Sequence, residues 1–195
     1  ETIESLKELE SALLVKAEEF DDVIKMGRTQ MQDAIPIRLG QEFRAYATGI
    51  SRNIKLFKTA CTVLKTVNMG ATAIGTGLNA DVSYMDKIVK NLAQVTDLEL
   101  VQAEDLIDGT QNIDVFVHVS GLVKSCAISM SKIANDLRLM SSGPTCGFAE
   151  INLPARQAGS SIMPGKVNPV IPEVVSQVAF NCAGNDFAVT MAAEA

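Results

Sequence analysis

The chain has 195 residues, 47% of them hydrophobic, and 17 basic against 23 acidic side chains for a net charge of -6. This length and a mean hydropathy of +0.18 allow one domain with a buried core. The charge is dispersed, without a basic patch to neutralise phosphates, which excludes nucleic acid as an expected partner.

No apolar run approaches the ~20 residues a membrane span needs, and no signal-peptide pattern opens the chain. Cys61, Cys126, Cys146 and Cys182 lie far apart, and with His118 as the single histidine they offer no zinc-ligand spacing. They are expected to be reduced, mostly buried thiols of a cytoplasmic protein. Glu1 enters directly into a helical pattern and "TMAAEA" ends in strong helix formers, so the chain is expected to be part of something longer.

Leu6, Leu9, Leu13, Phe20 and Ile24 keep near-helical spacing and predict a first long amphipathic helix. "MGRTQMQDAIPIRLG" should be a loop, because Pro36 cannot continue a helix and disfavours helical geometry at Ile35. From Gln41 the register resumes at Phe43, Tyr46, Ile50, Ile54, Phe57, Cys61, Leu64 and Val67, then stops at the turn-rich "NMGATAIGTGLNA". A shorter helix is predicted over 81–95 and a long one over about 105–140. "VFVHV" alternates like a strand, but it lies inside that helical register with no turn residues around it. Residues 141–170 are irregular. Pro172 suits the first helical position and Glu173 the positive end of a helix dipole, opening a last helix. The fold class is all-α, an extended bundle of four or five long antiparallel helices. Because apolar residues such as Ile128, Met130 and Ile133 occupy several helix faces, self-association is expected.

"GTGLNA" from Gly75 matches part of a dinucleotide fingerprint, but no strand before it or parallel strand after it is expected, so the glycines read as a corner between helices. His118 reads as packed at a helix interface, and the eight methionines as core filler. The stretch "GSSIMPGKVNP", residues 159–169, is different. Gly159 and Gly165 free backbone amides, Ser160 and Ser161 add hydroxyls, and Lys166 with Asn168 add a cation and an amide just before a helix. Such a set suits a small carboxylate and favours an ionised serine, although the residues alone leave a structural loop as the alternative.

"GSSIMPGKVNP" resembles the signature loop of the aspartase/fumarase superfamily, and its continuation "VIPEVV" is more similar to the aspartase branch than to class II fumarases. "GRTQMQDAIPIRLGQEF" is similar to a second conserved region and "GATAIGTGLN" to the glycine-rich turn between them, so the resemblance covers essentially the whole chain. It implies that residues 1–195 are the central helical domain of a homotetrameric lyase, with the N- and C-terminal parts of the parent missing. The implied reaction is reversible elimination of ammonia from L-aspartate to give fumarate, with no organic cofactor and no metal ligands in this chain. By the resemblance, Ser160 is the base, Thr29, Gln30, Lys166 and Asn168 bind substrate, and Glu173 supports the site. In many relatives a histidine stands where this chain, similar in this to some aspartases, has Gln30, which cannot be protonated and can only hydrogen-bond. That leans toward aspartase and away from fumarase. With the upstream conserved region missing, the piece alone is expected to be inactive. The alternatives are a class II fumarase-type dicarboxylate lyase and an inert oligomerisation bundle.

Overall fold

The structure, a computed structural model, describes residues 1–194. It is mainly helical: α1 Thr2–Glu19, α2 Leu39–Val63, α3 Val82–Thr96, α4 Asp108–Gln111, α5 Asp114–Met140 and α6 Val170–Glu194. Two small sheets complete it, an antiparallel pair of β1 Ile24–Thr29 with β2 Gln32–Arg38 and a parallel pair of β3 Thr66–Val67 with β4 Val101–Gln102. The chain forms two compact units, one from Glu1–Lys55 with Val123–Asn185 and one from Leu56–Leu122 with the chain end from Asp186.

In the first unit, Leu6, Leu13 and Ala17 of α1 and Phe43, Ala47, Ile50 and Ile54 of α2 are buried. Spaced by three, four or seven residues, they lie on the face of the apolar stripe seen in the sequence. α1 ends at Glu19 instead of running on to Ile24: Phe20 caps it, and its ring meets Phe43 edge-on at 5.3 Å between centroids. The turn after it is closed when Val23 O and Phe20 O accept the amides of Leu39 and Gly40 at 2.8 and 2.9 Å, which brings α2 back beside α1. Tyr46 Oη donates to Asp136 Oδ2 of α5 at 3.0 Å, and Ser131 Oγ donates to Ser176 Oγ of α6 at 3.1 Å. Burial, with Asp136 next to it, pushes the Tyr46 hydroxyl well above the usual phenol range.

The segment expected to be a loop is a β-hairpin. Pro36 pairs with Met26 across the ladder. In a two-stranded sheet each strand is an edge, so a residue without an N–H is tolerated. The ladder slips once between Met26 and Arg28, and the tip is a two-residue turn in which Gln30 and Met31 have φ of 52° and 62°. Positive φ at both central residues defines the type I′ hairpin turn, usually made by Asn-Gly.

In the second unit, β3 leads through residues 68–81 to α3, and β4 returns parallel to β3. Asp81 caps α3 by accepting the Ser83 amide at 2.7 Å; the Ser83 side chain, then that amide, hold its carboxyl below the usual range. The glycine-rich stretch thus follows a strand and precedes a parallel one, contrary to expectation. Each strand is only two residues long, and Gly75 and Gly77 turn at positive φ as corner glycines. The helix predicted over 105–140 is broken at Asn112–Ile113, α6 starts two residues before Pro172, and "VFVHV" is helical. His118 is exposed, not packed. Of the cysteines only Cys126 is buried, and of the methionines only Met140. Among the described residues no helix is long and apolar enough to cross a membrane.

Candidate functional site

The loop between α5 and α6 is organised by its own backbone. Ser160 O accepts the Met163 amide at 3.0 Å, and Met163 O accepts the Lys166 amide at 3.2 Å, two successive turns that fold the loop on itself. The second turn needs Gly165, whose φ is 82°. The fold brings the Gly159 α-carbon against Lys166, where a Cβ would stand 2.5 Å from the Lys166 carbonyl oxygen. Ser160 and Lys166, six residues apart, therefore belong to one tight backbone unit. The Ile162 amide donates to Ser160 Oγ at 3.2 Å. A hydrogen bond donated to a hydroxyl oxygen favours its ionised form. Ser160 and Lys166 are exposed and Asn168 is half-buried, and the Val170 and Glu173 amides bond to Asn168 O and Pro169 O as α6 begins.

Thr29 and Gln30 stand at the exposed tip of the hairpin, where Thr29 pairs with Gln32. Just beneath them is an ionic cluster that sequence reasoning missed. Arg28 Nη1 and Nη2 donate to Glu150 Oε2 and Oε1 at 3.0 and 2.7 Å, a two-pronged pairing. The guanidinium carbon sits 4.0 Å from the centroid of the Phe148 ring. Lys25, with 7% of its side chain exposed, bridges Glu42 of α2 at 3.0 Å and Glu150 at 3.4 Å. The hydrogen bonds from Arg28 hold the Glu150 carboxyl below its usual range, against the opposing effect of burial, and Lys25 assists. Arg28 and Glu150 are 122 positions apart, so no local pattern announces the pair.

Glu173 lies on the first turn of α6, where its Oε1 is 3.6 Å from Arg138 Nη2 of α5. Its ionic partner is thus this arginine. The candidate residues fall into three places: Thr29 and Gln30 on the hairpin, Ser160, Lys166 and Asn168 in the loop, and Glu173 at the head of α6. Neither of two open depressions, about 450 Å³ lined by residues 142–147 and about 370 Å³ lined by α1 and α2 side chains, includes a candidate residue. Among the described residues no three His, Cys, Asp or Glu side chains are grouped to hold a metal ion.

The sequence profile of a protein family described simply as lyase matches residues 1–184. The chain belongs to this lyase family, within the aspartase/fumarase superfamily. It is 56% identical over 193 residues to the aspartate ammonia-lyase of Bacillus subtilis, covering 99% of this chain and 41% of that protein. Against the aspartate ammonia-lyase of Escherichia coli the identity is 54%, covering 99% and 40%. The chain thus spans about two fifths of the length of the curated relatives it matches. Among solved structures, it superposes with a TM-score of 0.94 and 49% identity on a fumarate lyase:delta crystallin from Brucella melitensis bound to cobalt, covering 97% of this chain and 41% of that one. It superposes with a TM-score of 0.93 and 36% identity on a class II fumarase from Schistosoma mansoni, covering 98% and 43%. The helical architecture expected of this lyase family is the one found.

Proposed function

We propose that the complete lyase containing this chain is a cytoplasmic aspartate ammonia-lyase, interconverting L-aspartate with fumarate and ammonium without an organic cofactor. The reaction removes a proton from the methylene carbon next to the side-chain carboxylate. Ser160 Oγ, ionised, takes that proton, and the electron pair left on carbon moves into the carboxylate to give a doubly negative aci-carboxylate. The pair then returns to form the carbon–carbon double bond as the C–N bond breaks and ammonia leaves, protonated as ammonium. A free serine is a poor base at neutral pH, so the site must stabilise its alkoxide. The Ile162 amide already points at that oxygen. This exposed hydroxyl with its backbone donor, in a loop folded tightly enough to bring the Lys166 backbone against Gly159, is the observation that carries the proposal. Lys166 and Asn168 bind a substrate carboxylate by a charge-assisted and a neutral hydrogen bond, Thr29 and Gln30 extend the carboxylate-binding set, and Glu173 supports the site from α6.

The likeness to a class II fumarase favours a second reading, addition of water instead of ammonia. Gln30 weighs against it, since an amide cannot hold or release a proton. Fumarate absorbance in the complete enzyme decides between them: loss that requires ammonium supports the ammonia-lyase, and conversion to malate without ammonium refutes it. Ser160→Ala is expected to lower turnover about 1000-fold or more while leaving assembly intact; near-normal turnover would remove Ser160 from the mechanism.

Loop and hairpin tip are open to solvent, and α6 exposes apolar residues on several sides, Phe180 at 66% and Phe187 at 69% among them. A helix apolar all round belongs inside a larger bundle. A homotetramer would cover it and supply further walls to the site. Light scattering of the complete enzyme tests this, and a monomer would overturn it. Calorimetric titration of the 195-residue chain with aspartate is expected to give little or no heat, as for an incomplete site.

A further inference from the structure

We infer that the Arg28–Glu150 pair is a clamp that positions the Thr29–Gln30 turn relative to the segment leading into the Ser160 loop. This rests on Thr29 and Gln30 binding substrate as proposed above. Arg28 is the residue immediately before Thr29, and the fork to Glu150 leaves its guanidinium one orientation. Phe148 lies against its face. The other jaw is equally fixed. The Glu150 amide donates to Met140 O at the end of α5 and the Ala149 amide to Ser142 O, both at 2.8 Å, while Ser142 Oγ accepts the Phe148 amide at 3.1 Å. Lys25 joins the same carboxylate to Glu42, which ties the clamp to α2 as well. Asp33, across the ladder from Arg28, has Oδ1 3.6 Å from Arg28 Nε, too far for a hydrogen bond, and is mostly exposed.

The turn needs such a clamp because of its residues. Gln30 and Met31 both have positive φ although neither is Gly, Asn or Asp. Side chains in this region are strained, and strain persists only where the surroundings over-determine the conformation. Met31 is 72% exposed, so side-chain packing does not hold the tip. What holds it is the ladder below, whose last two rungs are Arg28–Asp33 and Thr29–Gln32, and Arg28 is the rung anchored from outside the hairpin. Arginine is required, since a lysine can neither make the fork nor stack its head on Phe148 in the same way. Arg28 and Glu150 are positioning residues with no direct contact to substrate.

The test compares Arg28→Lys, Glu150→Gln and Met31→Gly in the complete enzyme, with Gln30→Ala as the check on the proposed binding role of the turn. Loosening the clamp displaces groups that bind substrate while leaving the proton-abstracting loop, so KM for aspartate should rise ~10-fold or more with kcat changed less than ~3-fold. Met31→Gly lets the turn adopt positive φ without strain, and in the Arg28→Lys background it should recover most of the lost KM. An unchanged KM overturns the inference. So does a fall in kcat that tracks a lower melting temperature with no recovery from Met31→Gly, the mark of a merely structural pair. Should Arg28→Lys fail to assemble, Glu150→Gln keeps shape and one acceptor oxygen and carries the same comparison. A Gln30→Ala enzyme with unchanged KM would instead defeat the proposed binding role of the turn, and the clamp inference with it, whatever the clamp variants do.

Discussion

Gly159→Ala is the sharpest probe of the loop. The added Cβ would stand 2.5 Å from the Lys166 carbonyl oxygen and 3.4 Å from the Lys166 carbonyl carbon and nitrogen. The oxygen contact is about 1 Å inside an ordinary van der Waals separation. The obstacle is backbone, with no flexible side-chain end that could swing aside, so the 159–160 or the 165–166 backbone must move by about that amount. Overpacking of this kind costs about 1–3 kcal/mol in a core. In an exposed loop the backbone shifts instead, and the displaced residue is Ser160. A misplacement of ~1 Å at a reacting group, the role proposed for Ser160, can lower turnover ~100-fold. Gly165→Ala is the control: φ there is 82°, and nothing lies within 4 Å of the would-be Cβ. It meets backbone strain of roughly 1 kcal/mol and no collision, so turnover should fall by less than ~10-fold. Initial rates of fumarate formation by the complete enzyme, with melting curves beside them, measure both. If Gly159→Ala keeps more than half of normal turnover, or Gly165→Ala is the more damaging, the close approach of the loop ends does not set the position of Ser160.

Ile50, fully enclosed at 0% exposure in the middle of α2, should lose about 2–5 kcal/mol of stability as Ile50→Ala, read as a lower denaturant midpoint with an unchanged slope. The acid limb of stability should carry the Glu150 signature. Its carboxyl titrates below its ordinary value of 4.5 in the folded chain, so its contribution is complete above that pH and drains away as pH falls below about 4.5. Glu150→Gln should flatten stability against pH in that window, and an unaltered acid slope would show that the carboxylate is not linked to folding.

The helices were legible because burial follows a period. Phe43, Ile50, Ile54 and Phe57 are buried in the register their spacing gave. The hairpin was not, because β1 and β2 lack the alternation of a half-buried strand: β2 is exposed at six of its seven positions, and Pro36 imitates a loop signal. Its turn was equally silent, since Gln-Met is not a pair that announces a type I′ geometry. The α4–α5 break at Asn112–Ile113 lies ahead of the apolar register of α5, where "DGTQN" carries no apolar side chain that could mark a helix end. In the candidate site, residues 159–168 stood out by composition, and the resemblance supplied the roles proposed for them. The cluster of Lys25, Arg28, Glu42 and Glu150 was invisible because ionic partners 17 and 122 positions apart leave no periodic trace.

Helix α6 also bears on how the protein must be made. Within Val170–Glu194 the charged side chains are Glu173, Asp186 and Glu194, and Asp186 is turned inward and buried. A newly synthesised copy therefore displays a greasy rod to water until something covers it, which invites chaperones and precipitation. If other copies of the protein cover it, as in the proposed tetramer, folding yield should depend on how many copies are made close together in time, and dilution should cost activity through dissociation.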